Sequence, residues 1–143
     1  SLLVSTNPGS PFGQIGKIAS GGELSRFMLA LKVVLSKVSR VQTVIFDEID
    51  TGIGGAVADA VGKRLARLSA DVQVMCVTHQ PQVASRGNHH LLIAKNDDGS
   101  VTRSNVRVLA EEERREEIAR MLSGSEITTE ARAAAVKLME GEG

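Results

Sequence analysis

Residues 43–48, Thr-Val-Ile-Phe-Asp-Glu, decide the fold, because an apolar run ends abruptly in two carboxylates. A continuous apolar run of this length is typical of a strand that is buried on both faces of a parallel sheet. In open α/β sheets, ligands bind beyond the carboxyl ends of such strands. We therefore expect Asp47 and Glu48 to emerge where a ligand would bind.

Two adjacent carboxylates at a strand end are costly unless they meet a cation or take part in proton transfer. The pair has the form of a Walker B element, in which the first acid helps to hold Mg²⁺ and the second orients or deprotonates a water. We expect Asp47 to face the metal and Glu48 to face the attacking water. The plainer interpretation is an Asp-Glu cap that opens the next helix.

A second candidate for a buried strand, residues 72–78, ends directly at His79. A histidine just past a strand end can reach a terminal phosphate or the attacking water through one ring nitrogen. A lone histidine is more often packed or solvated. The position of His79 relative to Asp47 and Glu48 favours a catalytic role.

Residues 20–23, Ser-Gly-Gly-Glu, precede an apolar stripe that is typical of a core-facing helix. Ser20 can cap this helix while Glu23 returns a hydrogen bond to the Ser20 backbone N–H. Gly21 and Gly22 place no side chains on the first turn, so the oxygens of a ligand could approach the positive end of the helix dipole. The alternative is an ordinary capped junction that binds nothing.

The rest of the pattern predicts an α/β fold, with a mainly parallel sheet flanked by helices and a C-terminal hairpin with two helices. In chain order we expect a short strand at 2–5, an irregular loop at 7–16, a helix at about 56–69 with Val57, Val61, Leu65 and Leu68 on one side, a short helix after Pro81, hairpin strands at 91–94 and 101–109, and terminal helices at about 111–122 and 129–139.

Length and composition fit one domain, since 143 residues with 42% hydrophobic content can bury a sizeable core. Aromatic residues make up only 2%, with no Trp or Tyr, which argues against base stacking on aromatic platforms. The formal net charge is zero, so the segment has no obvious electrostatic footprint for DNA. No apolar run approaches the ~20 residues that a membrane span needs. We expect a cytoplasmic location.

The remaining candidate ligands have plain interpretations. Cys76, the only cysteine, lies within an apolar strand, so we expect a buried and inert thiol. His89 and His90 follow Asn88 at a strand start and are expected to be exposed or packing residues rather than ligands. No Cys/His spacing typical of a zinc site is present in the sequence.

Together these motifs resemble those of ABC-type ATPase heads. Residues 20–23 resemble the signature motif, residues 44–48 the Walker B strand, Asp50 the D-loop and His79 the switch histidine. Asp-Glu is followed here by Ile-Asp, whereas transporter ATPases usually continue with proline. This continuation points to the SMC-like branch.

Within that branch the chain resembles the RecN family of bacterial, SMC-like DNA repair and recombination proteins. The resemblance rests on Asp-Glu-Ile-Asp-Thr-Gly-Ile-Gly-Gly at 47–55 and Thr-His-Gln-Pro-Gln-Val-Ala at 78–84. Asn-Pro-Gly at 7–9 and Ala-Arg-Met-Leu-Ser-Gly at 119–124 also fit. The resemblance implies ATP hydrolysis with Mg²⁺, a homodimer of heads, and binding of DNA through the complete, nucleoid-associated protein.

One element of such a head is missing, because the sequence contains no G-x-x-x-x-G-K-[ST] phosphate loop. The resemblance implies that an N-terminal segment supplies this Walker A loop, and that residues 1–143 are the C-terminal half of one head. It further implies that Ser20, Gly21, Gly22 and Glu23 contact the nucleotide held by a second head, with Asp50 at the seam. The isolated chain is then expected to be inactive.

Three alternatives stay open. The chain could belong to the head of another SMC-like ATPase. It could be a docking module that performs no catalysis when isolated. Asp47, Glu48, Asp50 and His79 could also form a metallohydrolase cluster with Mn²⁺ or Zn²⁺. A metallohydrolase would leave the helix start at residues 20–23 without a purpose.

Overall fold

The chain divides into two units, Ser1–His79 and Gln80–Gly143. The boundary falls directly after His79, so every residue proposed for chemistry belongs to the first unit. The computed structural model describes residues 3–5, 11–14, 29–30, 42–97 and 102–141.

The first unit begins with a short antiparallel pair, β1 (Leu3–Val4) and β2 (Gly13–Gln14). β1 confirms the predicted short strand. β2 lies inside the stretch 7–16 that we expected to be irregular, so that prediction is wrong at these two residues. Backbone pairing needs no apolar pattern, which explains why a Gly-Gln strand is invisible in the sequence.

A parallel pair of strands carries the centre of the first unit. β3 (Thr43–Asp47) and β4 (Gln73–Val77) pair in register from their first residues to their last. The helix α1 (Gly55–Leu68) connects them, as the strand–helix–strand pattern predicted. Both predicted strands are therefore confirmed.

The two faces of this pair differ in burial. Phe46 is buried on one face, whereas Ile45 on the other face is 64% exposed. Met75 and Val77 share the exposed face and are also open to solvent. The prediction of burial on both faces is therefore wrong for this chain. Parallel strands are normally covered on both faces, so the bare side is an unfilled packing surface.

The buried stripe of α1 starts one residue later than the sequence suggested. Val57 is 48% exposed, and Ala58 takes its place at the beginning of the stripe. Spacings of three and four residues from Ala58 then generate one continuous face. The buried residues of α1 are Ala58, Val61, Gly62, Leu65 and Leu68.

The second unit opens with α2 (Pro81–Ala84), followed by the antiparallel hairpin β5 (Leu91–Asp97) and β6 (Thr102–Val108). The predicted short helix and hairpin are confirmed. One face of the hairpin presents two directly opposed apolar pairs, Leu91 with Val108 and Ile93 with Val106, and all four side chains are exposed.

Two helices close the second unit, α3 (Glu111–Ser123) and α4 (Thr129–Glu140). Their predicted bounds are confirmed to within one residue. They pack around a small core of Ile118, Ala119, Ala131 and Ala135. In α3 the Glu113 carboxylate accepts from the backbone N–H of Ala110, and in α4 the Thr128 hydroxyl accepts from the N–H of Ala131.

The predicted α/β class is confirmed. Within the described ranges, the β3–β4 pair is parallel, and the other two strand pairs are antiparallel. No helix in these ranges is long and apolar enough to cross a membrane.

Candidate functional site

The candidate site lies where β3 and β4 end. The two strands end level, with Asp47 paired to Val77. The pairing extends one residue farther, because the backbone N–H of Glu48 donates to the Val77 carbonyl over 3.1 Å. The acids after β3 and the polar residues after β4 therefore emerge at one edge of the pair, where α/β sheets hold their ligands.

Glu48 has a left-handed backbone, with a φ of 49°. A side chain other than glycine in this region costs on the order of 1–3 kcal/mol. Among the residues that the structure describes, Glu48 alone carries this strain without being glycine. Its carbonyl accepts from the N–H of Thr51 over 3.1 Å, which closes a turn directly after the strand. Such strain is typical of functional positions, where the surrounding contacts hold the residue in place.

The side chains of Asp47, Glu48 and His79 are all exposed. They are therefore accessible to a ligand that arrives at the strand ends. His79 follows β4 by two residues, and the register of the two strands brings its backbone to the same edge as Glu48. The predicted acids and the predicted imidazole thus share one edge.

Asp50 lies inside the first unit. Its side chain is fully buried, and its Oδ2 accepts a hydrogen bond from the hydroxyl of Thr78. Its other oxygen, Oδ1, is buried and has no hydrogen-bond partner within the described part of the chain. Within this chain the carboxylate faces the segment that precedes His79. The expected place of Asp50 at a seam between two heads stays a prediction.

The Cys76 thiol responds to the charges around it. Burial, with smaller contributions from the negative charges of Asp50 and Asp47, raises the pKa of the thiol to about 12. At neutral pH the thiol is therefore protonated and a poor nucleophile, in agreement with the predicted inert role. The negative charges of Asp50 and Asp47 contribute the smaller part of this shift.

The donor set at this edge suits one kind of metal better than another. No three His, Cys, Asp or Glu side chains converge on a metal site in the described part of the chain, which includes all four candidate residues. A zinc site takes at least three protein ligands. Mg²⁺ keeps several waters and needs only one or two carboxylates beside substrate phosphates. Asp47 fits such a partial site.

The signature residues Ser20, Gly21, Gly22 and Glu23 lie outside the described residues. Of the helix predicted after them, Leu29 and Ala30 are helical, and Leu29 is buried. The proposed contact of the signature motif with a nucleotide therefore stays a prediction.

The two neighbouring histidines lie in the second unit, directly before β5. His89 is exposed and His90 is half-buried. Burial lowers the pKa of His90, and Arg114 lowers it further, while Glu117 opposes the shift. The Nδ1 atom of His90 is buried, and no described residue makes a hydrogen bond to it.

Sequence reasoning missed Thr78 as part of the site. A threonine at a strand end does not by itself indicate a site residue, because threonine is common in strands. The available signal was its position between an apolar strand and His79, where a hydroxyl can reach the neighbouring strand end.

Relatives of known name match almost the whole chain. The DNA repair protein RecN of Xylella fastidiosa (strain 9a5c) is 51% identical over 139 residues, which is 97% of this chain. RecN of Streptomyces coelicolor is 52% identical and RecN of Vibrio cholerae 47% identical, each over 139 residues and 97% of the chain. No protein-family model matches the chain.

The chain is related to RecN. It spans 25% of the Xylella fastidiosa and Vibrio cholerae relatives and 24% of the Streptomyces coelicolor relative, so it corresponds to one segment of a RecN protein. The resemblance predicted from the motifs is confirmed.

Solved structures place this RecN segment in the fold of SMC heads. One is an SMC head domain with a coiled coil and joint from Pyrococcus yayanosii, with a TM-score of 0.63 and 21% identity over 77% of this chain and 20% of that chain. Another comes from work on ATP-driven dimerization and DNA stimulated activation of SMC ATPases. Its TM-score is 0.59 at 20% identity, over 87% of this chain and 81% of the other.

Proposed function

We propose that this chain is the C-terminal half of an ATPase head in an SMC-like DNA repair protein. It would support ATP hydrolysis at an interface between two heads. The observation that carries the proposal is the level ending of β3 and β4, which brings Asp47, Glu48 and His79 to one edge of a parallel pair. The likeness to DNA repair protein RecN supports the biological setting.

Each side chain at the edge has a distinct role in the proposal. Glu48 is the general base that orients and deprotonates the attacking water, since it is exposed directly beyond the strand end. His79 contacts the terminal phosphate or that water. Asp47 would hold Mg²⁺, often through water, and the ion would neutralise charge on the phosphate oxygens when bound.

The signature motif acts on a different nucleotide. Ser20, Gly22 and the helix start that follows would contact ATP held by the Walker A loop of a second head. The arrangement is isologous, because each head offers the same patch to the other across a two-fold axis. ATP would then favour dimerisation, and hydrolysis would release the heads.

The bare face of the β3–β4 pair supports an additional partner within the same head. Ile45, Met75 and Val77 are 43–64% exposed on this face. Parallel strands need cover on both faces, and three quarters of each relative's length lies outside the segment matched here. The N-terminal half with the Walker A loop is the proposed cover. DNA would be bound by the complete protein.

The Glu48→Gln substitution in the full-length protein tests the assigned base. Loss of a positioned general base lowers kcat by roughly 10²–10⁴-fold. We expect ATP turnover to be lost at least 10²-fold while ATP-bound dimers accumulate, which size-exclusion chromatography with light scattering would detect. Glu112→Gln, which removes an exposed acid from the first turn of α3, is the matched control and should turn over ATP normally. Unimpaired hydrolysis by Glu48→Gln would contradict the proposal.

A docking module without catalysis is the second candidate, favoured by the bare β3–β4 face and the missing phosphate loop. Calorimetric titration of the isolated chain with ATP, with and without Mg²⁺, separates it from a self-sufficient ATPase. We expect weak or no binding. Submicromolar affinity of the isolated chain would mean that its phosphate site is complete.

A further inference from the structure

We propose that Asp50 and Thr78 are a positioning pair that locks the two strand ends together and so sets the geometry between Glu48 and His79. The inference rests on the proposed function, because its readout is ATP hydrolysis. Neither residue is assigned to touch the nucleotide in this role. Both act through the catalytic groups beside them in the chain.

The contact joins two loops that are distant in sequence. The Thr78 hydroxyl donates to Asp50 Oδ2 across 28 positions of sequence. Asp50 is two residues beyond Glu48, and Thr78 directly precedes His79. Because the Asp50 carboxylate is fully buried, water does not compete with the Thr78 hydroxyl for it. The low local polarity strengthens the hydrogen bond between them. The pair is therefore placed to transmit a change at one catalytic residue to the other.

A second hydrogen bond runs beside the first. The backbone N–H of Glu48 donates to the carbonyl of Val77 over 3.1 Å. The two bonds thus cross between the same two loops at neighbouring positions, one through backbone and one through side chains. Two adjacent links restrict twisting of one strand end against the other more than either link alone.

The strained backbone of Glu48 requires such restraint. A left-handed glutamate persists only where its surroundings over-determine it. The turn that follows Glu48 is closed by the Thr51 N–H on the Glu48 carbonyl and by the Ile53 N–H on the Asp50 carbonyl. The hydrogen bond from Thr78, which directly follows β4, holds the Asp50 side chain. It therefore fixes this turn to the neighbouring strand end.

A purely structural link would be made at lower cost by a neutral acceptor. Among the residues that the structure describes, no donor reaches the buried Oδ1 of Asp50, and a buried unpaired polar atom is expensive and rare in native structures. The charge of Asp50 also raises the pKa of Cys76. An aspartate that carries such a cost in the loop after the Walker B acids is better explained by the geometry of the site than by stability.

The decisive variant is Thr78→Val in the full-length protein, which removes the hydroxyl and keeps the shape. Since small misplacements of reacting groups can cost up to about 10²-fold, we expect kcat to fall by roughly 10-fold or more with KM for ATP within about twofold. The pH–rate profile should shift, because the surroundings of the His79 imidazole change. Thr78→Ser restores the hydroxyl and should recover most of kcat.

The chain offers a matched control at the opposite end of the same strands. The Thr43 hydroxyl donates to Gln73 Oε1 over 2.9 Å, so it also bridges β3 and β4, but away from the acids. Thr43→Val should leave kcat unchanged. If Thr78→Val does not fold, Asp50→Asn and Asp50→Ala replace it. Asn keeps an acceptor for Thr78, so it should retain several-fold more activity than Ala.

The outcomes separate this inference from the proposed function. Normal kcat in Thr78→Val, with Glu48→Gln inactive, overturns the positioning pair and leaves the ATPase proposal intact. Equal losses in Thr43→Val and Thr78→Val also overturn it, since they indicate general weakening of the strand pair. Full activity of Glu48→Gln overturns the proposed function, and the positioning pair with it.

Discussion

The strand ends of the first unit and the helix pair of the second unit are organised in opposite ways. In α3 and α4 the core residues are at most 8% exposed, and both helix starts have polar groups that satisfy backbone N–H donors. Beyond β3 the backbone of Glu48 is strained, and the side chains of Asp47 and Glu48 are exposed. The helix pair is therefore organised around its core, and the strand ends are organised around a strained backbone with exposed acids.

This contrast predicts which measured quantity a mutation in each region should change. Helix pairs with closed cores respond to mutation through their free energy of unfolding. A strained edge with exposed acids responds through reaction rate, because its side chains are placed for a ligand. Substitutions can therefore test whether stability and chemistry are as well separated as the structure suggests.

The largest effect should come from His79→Ala in the full-length protein. Loss of a residue that orients water or contacts the terminal phosphate lowers kcat by roughly 10²-fold. His89→Ala removes an exposed histidine from the second unit and serves as the control, with kcat unchanged. Steady-state ATPase assays measure both. Equal kcat values for the two variants would contradict the comparison, because His79 would then have no catalytic role.

The next effect is on the stability of the second unit. Ile118 is fully buried between α3 and α4, so Ile118→Ala should cost about 2–5 kcal/mol through lost burial and a cavity. Hydrogen exchange of peptides from α3 reports this locally in the full-length protein. Arg115→Ala on the same helix breaks only an exposed pair with Glu111 and should change little, roughly 0.5 kcal/mol or less. Similar exchange in both variants would contradict the closed core.

The smallest effect is a pH dependence in the second unit. Burial lowers the pKa of His90 below its ordinary value of 6.5, so the folded state favours the neutral imidazole. The unfolded chain binds a proton first as the pH falls, and stability present above pH 6.5 is lost below it. We expect faster opening of α3 at pH 5.5 than at pH 7.5, after correction for the intrinsic effect of pH on exchange.

Replacing the histidines separates their contributions. His90→Gln should flatten the pH dependence between pH 7.5 and 5.5, because glutamine does not titrate. His89→Gln, the exposed neighbour, should leave it unchanged. An unaltered profile in His90→Gln would show that the dependence arises from other groups.

The sequence was most informative about regular elements. The bounds of α3 and α4 were predicted to within one residue because both segments are rich in helix-forming residues and are followed by a glycine, Gly124 or Gly141. The two central strands were predicted because their apolar runs end abruptly in polar residues. Both signals are local, so they can be detected in a single sequence.

Features that depend on neighbours were not predictable in the same way. The pairing of Gly13–Gln14 with Leu3–Val4 has no side-chain pattern. The bare face at Ile45 depends on what covers the strand pair, which an apolar run cannot specify. The burial of Asp50 and its contact with Thr78 join positions 28 residues apart, and only the folded backbone brings them together.

The register of β3 and β4 has a consequence for sequence variation. A hydrogen-bonded ladder slides only in whole-residue steps, and a slip of one residue would turn every side chain of a strand to the other face. The distance from Asp47 and Glu48 to His79 can therefore change only in discrete steps, each set by a shift of one whole residue. Insertions and deletions inside either strand should therefore abolish the chemistry.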